Sequence, residues 1–214
     1  MKETLSERAY TQIVELIMNG EYAEGDMLSE RELSEKLNIS RTPIREALKR
    51  LSEGDLVEHI KNRGAVVSSI STQRLMEQFV IRELFEEYAI QKIFDDQLDL
   101  DLDYLEENIR DTEEAMESGD YKAYFLKERE FHFELLRAIG NQEMLDFVNR
   151  ITEVQSLVML YKKVRSKNPG KDTVKEHRMI LECLKSNDKD GALQAIREHN
   201  RKAKNRVRAL GRNG

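Results

Sequence analysis

Three histidines and a glutamate fall where the helical periodicity of the chain calls for apolar side chains. One stripe runs Tyr121, Phe125, Glu128, His132, Leu135, Leu136 and Ile139; a second runs Val174, His177, Leu181 and Leu184; a third runs Ala192, Ile196, His199, Ala203 and Leu210. A single histidine on such a face is an ordinary core residue. A carboxylate is different, because burial without a cation or donors costs several kcal/mol or forces it to take up a proton. One ion bound by Glu128, His132, His177 and His199 would resolve all four burials together. Imidazole nitrogen and carboxylate oxygen suit zinc, nickel, iron or manganese, and the i, i+4 spacing of Glu128 and His132 puts both on one helix face. Spacing alone does not make three helices converge. An open position on such an ion could also activate water for hydrolysis, although no further base or nucleophile stands out on these stripes. Arg82 is another charged group on an apolar face, that of Leu75, Phe79, Phe85, Ala89 and Ile93. It is either the partner of an acidic side chain or a bidentate clamp for a carboxylate ligand beside the metal.

A different chemistry is written into Ser29 to Leu51. Ser29-Glu30-Arg31-Glu32 fits a capping box, which predicts a helix from Ser29 with Leu33 and Leu37 inward. Asn38-Ile39 turns the chain, and Thr42-Pro43 restarts it, since proline costs nothing at a position whose amide has no intrahelical partner. Ile44, Ala47, Leu48 and Leu51 form the inner stripe of the second helix, with Arg41, Arg45 and Lys49 on the opposite side. A short helix with a polar, basic first turn suits insertion into a DNA major groove. Two β-rich runs, 56–60 and 65–70, flank Lys61-Asn62-Arg63-Gly64 and predict a two-stranded basic wing.

These side chains need a helical frame, and the chain is composed for one. Among 214 residues there are two prolines and ten glycines, and 36% of the chain is charged, which suits long solvated helices with one buried stripe each. Leu5, Ala9, Ile13, Leu16 and Ile17 predict a first helix from Thr4 to Asn19 behind the two-helix reader. After the wing, Ser71 and Thr72 can cap a long helix through Ile93. Further helices are predicted to Gly119, over Tyr121–Ile139, from Gln142 to Arg165, and over Thr173–Lys185 and Lys189–Leu210, with Asn168-Pro169-Gly170 as a break. The aspartates of 95–103 alternate with leucines and read as a loop and helix start. Asn141 reads as a helix N-cap. The expected fold is therefore mostly α: a winged helix-turn-helix domain over 1–70, followed by an all-α antiparallel helical bundle over 71–214.

The net charge of −6 argues against a generally basic nucleic-acid coat. Residues 1–70 hold ten Lys and Arg against thirteen Asp and Glu, yet Arg41, Arg45, Lys49 and Arg50 cluster against Glu46 alone. Binding through that patch would be local and salt-dependent. One cysteine, Cys183, excludes an internal disulfide framework, and with no secretory signal or bilayer-spanning apolar run it implies a cytoplasmic protein with no membrane partner.

The N-terminal residues Gly25-Asp26-Met27-Leu28-Ser29-Glu30-Arg31-Glu32-Leu33, Leu37 through Leu48, Gly54-Asp55-Leu56-Val57 and Gly64 resemble the winged helix-turn-helix signature of GntR-family bacterial transcription regulators. The resemblance implies that Arg31, Arg41 and Arg45 contact operator phosphates and bases, that Thr42 contacts a phosphate, and that Arg63-Gly64 is a wing tip entering the minor groove. Arg82-Glu83-Leu84-Phe85-Glu86, Phe131-His132, Gly140-Asn141, Glu176-His177 and His199 resemble the helical effector domain of the FadR-like branch, the FCD domain, and the histidine gaps of 45 and 22 residues fit it. Many members carry an aspartate four residues before the first histidine where this chain has Glu128. By this resemblance the chain is no enzyme. It is a homodimeric regulator, a repressor of double-stranded operator DNA, whose affinity responds to a small carboxylate effector at a metal-containing pocket. A regulator in which the metal is itself the signal, or a metal-dependent hydrolase, is the alternative.

Overall fold

The computed structural model describes residues 4–18, 20–53, 56–60, 63–68, 72–152 and 171–210. The chain divides into two compact units, Met1–Ser71 and Thr72–Gly214.

The first unit contains α1 (Leu5–Met18), β1 (Met27–Ser29), α2 (Glu30–Leu37), α3 (Arg41–Glu53), β2 (Val57–Ile60) and β3 (Gly64–Val67). A reciprocal capping box starts α1: Glu7 donates its amide to Thr4 Oγ1 at 3.1 Å, and Thr4 donates its own to Glu7 Oε2 at 2.7 Å. The box expected at Ser29 does not form. Ser29 is the N-cap of α2 and the last residue of β1, with an extended backbone (φ −72°, ψ 127°), and its side chain makes no cap bond. Between α2 and α3 the chain reverses at Asn38 in the left-handed region (φ 53°, ψ 43°), and Ser34 ties the turn shut by donating Oγ to the Ile39 carbonyl at 2.7 Å. Ala9, Ile13, Leu33, Ile44, Ala47, Leu48 and Leu51 form the shared core, whereas Leu5 lies 57% exposed and outside it.

The sheet has three strands in the order β1-β3-β2, all antiparallel, where the sequence pattern showed two. The run 27–29 is too short to alternate visibly, so only pairing reveals it as a strand. Gly64 opens β3 and pairs with both Ser29 and Ile60. Its φ is +124°, and a Cβ there would stand 2.1 Å from the Leu28 carbonyl oxygen, so only glycine lets β1 approach.

The second unit is all helical among the described residues: α4 (Thr72–Asp95), α5 (Leu102–Ser118), α6 (Tyr121–Arg137), α7 (142–152), α8 (Lys171–Lys185) and α9 (Lys189–Leu210). Side-chain caps set three starts: Asp101 accepts from Tyr104 N at 2.8 Å, Asp120 from Ala123 N at 2.9 Å, and Asn141 from Met144 N at 3.0 Å. The α5–α6 turn is just Gly119 and Asp120, with Gly119 at φ 77°, which folds the two helices back on each other. The aspartate run divides between a cap and ion pairs, Asp95 with Lys189 at 2.5 Å and Asp96 with Lys92 at 2.8 Å. The core is Ile90, Leu105, Phe131, Leu135, Ile180 and Ile196, each fully buried, with Ala89, Leu136, Met144 and Val148 in a second cluster under α7. Ser71, the end of the helix predicted to Arg165, and Asn168-Pro169-Gly170 lie outside the described residues.

Candidate functional site

Helix α6 brings Glu128 and His132, α8 brings His177 and α9 brings His199, and one ligand-type atom from each lies within 4.8 Å of all the others. The imidazole centroids are 4.8 to 5.0 Å apart, and all three histidines are buried. These distances follow from the packing of α6 on α4 and of α8 on α9, which turns the polar position of each stripe to one point. The stripes were legible in the sequence; their convergence is set by the bundle.

Several groups sit behind these four. His199 Nδ1 donates to Glu176 Oε2 at 2.9 Å, and Arg206 grips the same carboxylate at 3.0 and 3.1 Å. His132 Nδ1 lies 2.9 Å from Glu86 Oε1, close but bent from a straight hydrogen bond, and its Nε2 lies 3.3 Å from Glu128 Oε1. Glu86 is fully buried and accepts from Asn200 Nδ2 at 2.7 Å, with Arg82 Nε 3.1 Å away. Arg82 also donates to Asn200 Oδ1 at 3.2 Å and stands 3.8 Å from Glu128. His177 is held differently: its ring stacks on Phe131 at 4.0 Å and 6°, and neither nitrogen has a hydrogen-bond partner. Glu86, Glu176 and Asn200 were assigned no role from sequence. Each nonetheless adjoins a candidate: Glu86 one turn after Arg82, Glu176 before His177, and Asn200 after His199.

Electrostatics sorts the cluster. Burial opposes the charge on Glu86, yet His132 and Arg82 outweigh it and hold the carboxyl down to about 2. Glu128 is likewise driven well below the usual range, burial being overcome by His132 and Arg82. Burial and the neighbouring imidazoles push His177 well below its ordinary value, and burial takes His199 to about 4. His132 moves up, because Glu86 and Glu128 overcome burial and Arg82.

The residues fit a bound cation. His177 Nδ1 and Nε2 and His199 Nε2 are buried without partners, a costly state for polar atoms that a cation held between them would relieve. Metal bonds of ~2.0–2.2 Å place ligand atoms roughly 3–4 Å from one another, so closing on an ion requires a contraction on the order of 1 Å.

The DNA-facing candidates occupy the other unit. Arg41 and Thr42 begin α3 and are exposed. Arg45, on the same face, forms a bidentate pair with Glu30 at 2.9 and 2.7 Å. Arg31 is exposed on α2, 3.9 Å from Glu35, and Arg63 is exposed at the turn before β3. Gly64 follows Arg63 at the hairpin end as the first residue of β3 and is buried where β1 packs against it.

A helix-turn-helix with a short sheet, followed by a helical unit with a buried polar centre, is the architecture of a winged helix transcription regulator with a second, helical unit. Residues 5–67 match the model of the bacterial regulatory proteins of the gntR family, and residues 77–202 match that of the FCD domain. The chain belongs to the GntR family of bacterial transcription regulators, in the branch that carries an FCD domain. It is similar to the HTH-type transcriptional regulator YdhC of Bacillus subtilis (strain 168), at 24% identity over 191 residues, 89% of this chain and 85% of that one. The gluconate operon transcriptional repressor of the same organism is 24% identical over 191 residues, 86% of this chain and 76% of its own length. Among solved structures, E. coli McbR/YncC shares the fold with a TM-score of 0.76 at 21% identity over 98% of each chain. These relatives are regulators, so the hydrolytic alternative falls away and the chain is not an enzyme. No described helix is long and apolar enough to cross a membrane.

Proposed function

We propose that this regulator is a homodimeric repressor that reads a pseudo-palindromic operator with Arg31, Arg41, Thr42, Arg45 and Arg63. In this reading a divalent transition metal held by Glu128, His132, His177 and His199 makes part of the pocket for a small carboxylate effector. The observation that carries it is the meeting of four ligand-type side chains from three helices with unpartnered imidazole nitrogens between them.

Charge counting supports a carboxylate. Arg82 carries one positive charge against the two carboxylates Glu86 and Glu128, so a dication beside neutral imidazoles leaves the site one positive charge in excess, which a monoanion neutralises. Bound there, the ion supplies a Lewis-acidic position for an oxygen ligand. Repression is supported by relatives named as repressors, and an acidic effector by the naming of one for a gluconate operon, gluconate being a hydroxy acid. The effector works only through different affinities for two arrangements of the reading heads.

The test is metal content by plasma mass spectrometry on untagged protein, wild type beside His177→Ala. About one transition metal per wild-type chain, lost in the variant, is the expected result; a wild type that stays metal-free after reconstitution refutes the site. Carboxylic acids are then screened by thermal shift on the loaded protein.

One observation favours a second reading, in which the metal is itself the signal. Arg82, the expected carboxylate clamp, is engaged by Glu86, Glu128 and Asn200. Operator affinity that follows metal concentration with no organic acid present would select this reading.

A further inference from the structure

The four candidate ligands do not explain two fully formed carboxylate positions behind them. Glu86 comes from α4 and Glu176 from α8, 0% and 5% exposed; Glu176 accepts from His199 Nδ1 at 2.9 Å, and Glu86 stands at the same distance from His132 Nδ1, bent from a straight hydrogen bond. A purely structural core has little reason to carry two buried carboxylates, since apolar side chains of similar volume do the same at no desolvation cost. Both are also held from behind. Arg206 donates to the two oxygens of Glu176, with Lys202 3.6 Å away, while Asn200 donates to Oε2 of Glu86 and the Arg82 guanidinium stands 3.1 Å from Oε1. His177 is the internal contrast: it has no carboxylate on either nitrogen and is oriented by Phe131.

We infer that Glu86 and Glu176 are positioning residues that hold His132 and His199 with Nδ1–H turned outward and Nε2 turned inward, so that a cation is taken through two Nε2 atoms. Arg82, Asn200 and Arg206 keep the carboxylates in that role, and Arg82 is thereby a brace of the centre. The inference rests on the metal reading for its use but not for its geometry. A carboxylate behind a ligating imidazole fixes its ring and tautomer and raises its basicity. The arrangement also ties α4 to α6 through Glu86 and His132, and α8 to α9 through Glu176 and His199. Occupancy at the centre is thus felt by four helices through six side chains rather than by the three that carry the ligands.

The experiment uses the full chain labelled with 15N-histidine, titrated with zinc, beside Glu86→Leu, Glu176→Leu and Glu176→Gln. In wild type with zinc, the ring shifts are expected to show Nε2 ligation and Nδ1–H for His132 and His199. The two leucine variants are expected to lose 10- to 100-fold in zinc affinity by chelator competition, a range on the order of that seen for such partners elsewhere. Glu176→Gln, which keeps an acceptor oxygen, should lose about tenfold or less. Nδ1 ligation in wild type overturns the inference, and so do folded leucine variants within twofold of wild-type affinity. If the leucine variants do not fold, the wild-type spectrum and Glu176→Gln decide. If wild type takes no zinc, the metal reading fails on its own, and the metal-free spectrum decides the positioning claim: His199 as the Nδ1–H tautomer upholds it, the Nε2–H tautomer overturns it.

Discussion

At the scale of single residues, opposing terms set the state of each charged group. His199 is held to about 4 by burial against an ordinary 6.5, and His177 lies well below 6.5, so both are neutral in the fold and charge on unfolding. A depressed histidine contributes its full stability above the unfolded value and loses it as pH falls toward the folded one. For His199 the difference is worth roughly 3 kcal/mol. His132, shifted up, works the other way, with stability present below 6.5 and lost as pH rises. Two against one predicts that the metal-stripped protein melts at a lower temperature at pH 5 than at pH 7.5. A midpoint that holds or rises on acidification would show that the histidines are not buried neutral. Arg45 is the corresponding test in the reading unit. Its guanidinium is engaged bidentately by Glu30 without DNA, yet its side chain stays 62% exposed, so it is oriented rather than hidden. Arg45→Ala is expected to weaken operator binding by about tenfold or more at moderate salt, as for a lost base contact of ~1–3 kcal/mol. A change under twofold in a mobility-shift titration would remove it from the reading surface.

At the scale of elements, the short ones carry the surprises. Strand β1 is three residues long, and its pairing with β3 depends on the bare backbone of Gly64. Gly64→Ala forces a side chain against the Leu28 carbonyl at a backbone angle L residues rarely adopt. The expected cost is on the order of 3 kcal/mol in urea unfolding, confined to the first unit, with loss of operator binding. Wild-type stability in that variant would mean that β1 is dispensable. The capping box lies at Thr4 and Glu7 rather than at Ser29. A capping motif in sequence needs its side-chain oxygen aimed at the helix amides, which Thr4 achieves and Ser29 does not.

For the whole molecule the open question is assembly. Helix α4 exposes Val80, Leu84 and Tyr88 at 47%, 65% and 45%, four residues apart, with exposed Phe147 nearby through its edge-to-face contact with Phe85. Such a stripe suits a second copy, since α4 pairing antiparallel about Leu84 sets Val80 against Tyr88 and opposes no like charges. Leu84→Glu is therefore expected to yield a monomer by light scattering, and its operator affinity should fall because one short reading head binds weakly alone. A dimer of wild-type stability would place the interface elsewhere.

Local pattern sufficed for the helical frame, the helix-turn-helix, the turn at Asn38, the cap at Asn141 and the burial of Arg82, His132, His177 and His199. All of these rest on local periodicity and on side chains acting on their own backbone. It did not reveal β1, because a three-residue strand exists only through its partner. It left Glu86, Glu176 and Asn200 without roles, because a buried carboxylate is explained by what it faces and those partners lie 46, 23 and 114 residues away. It gave Arg82 two readings, and only the packing that gathers the histidines shows which acidic side chains, Glu86 and Glu128, stand beside the guanidinium. Spacing along one helix fixes which face a residue shares; only the crossing of several helices fixes which residues share a point.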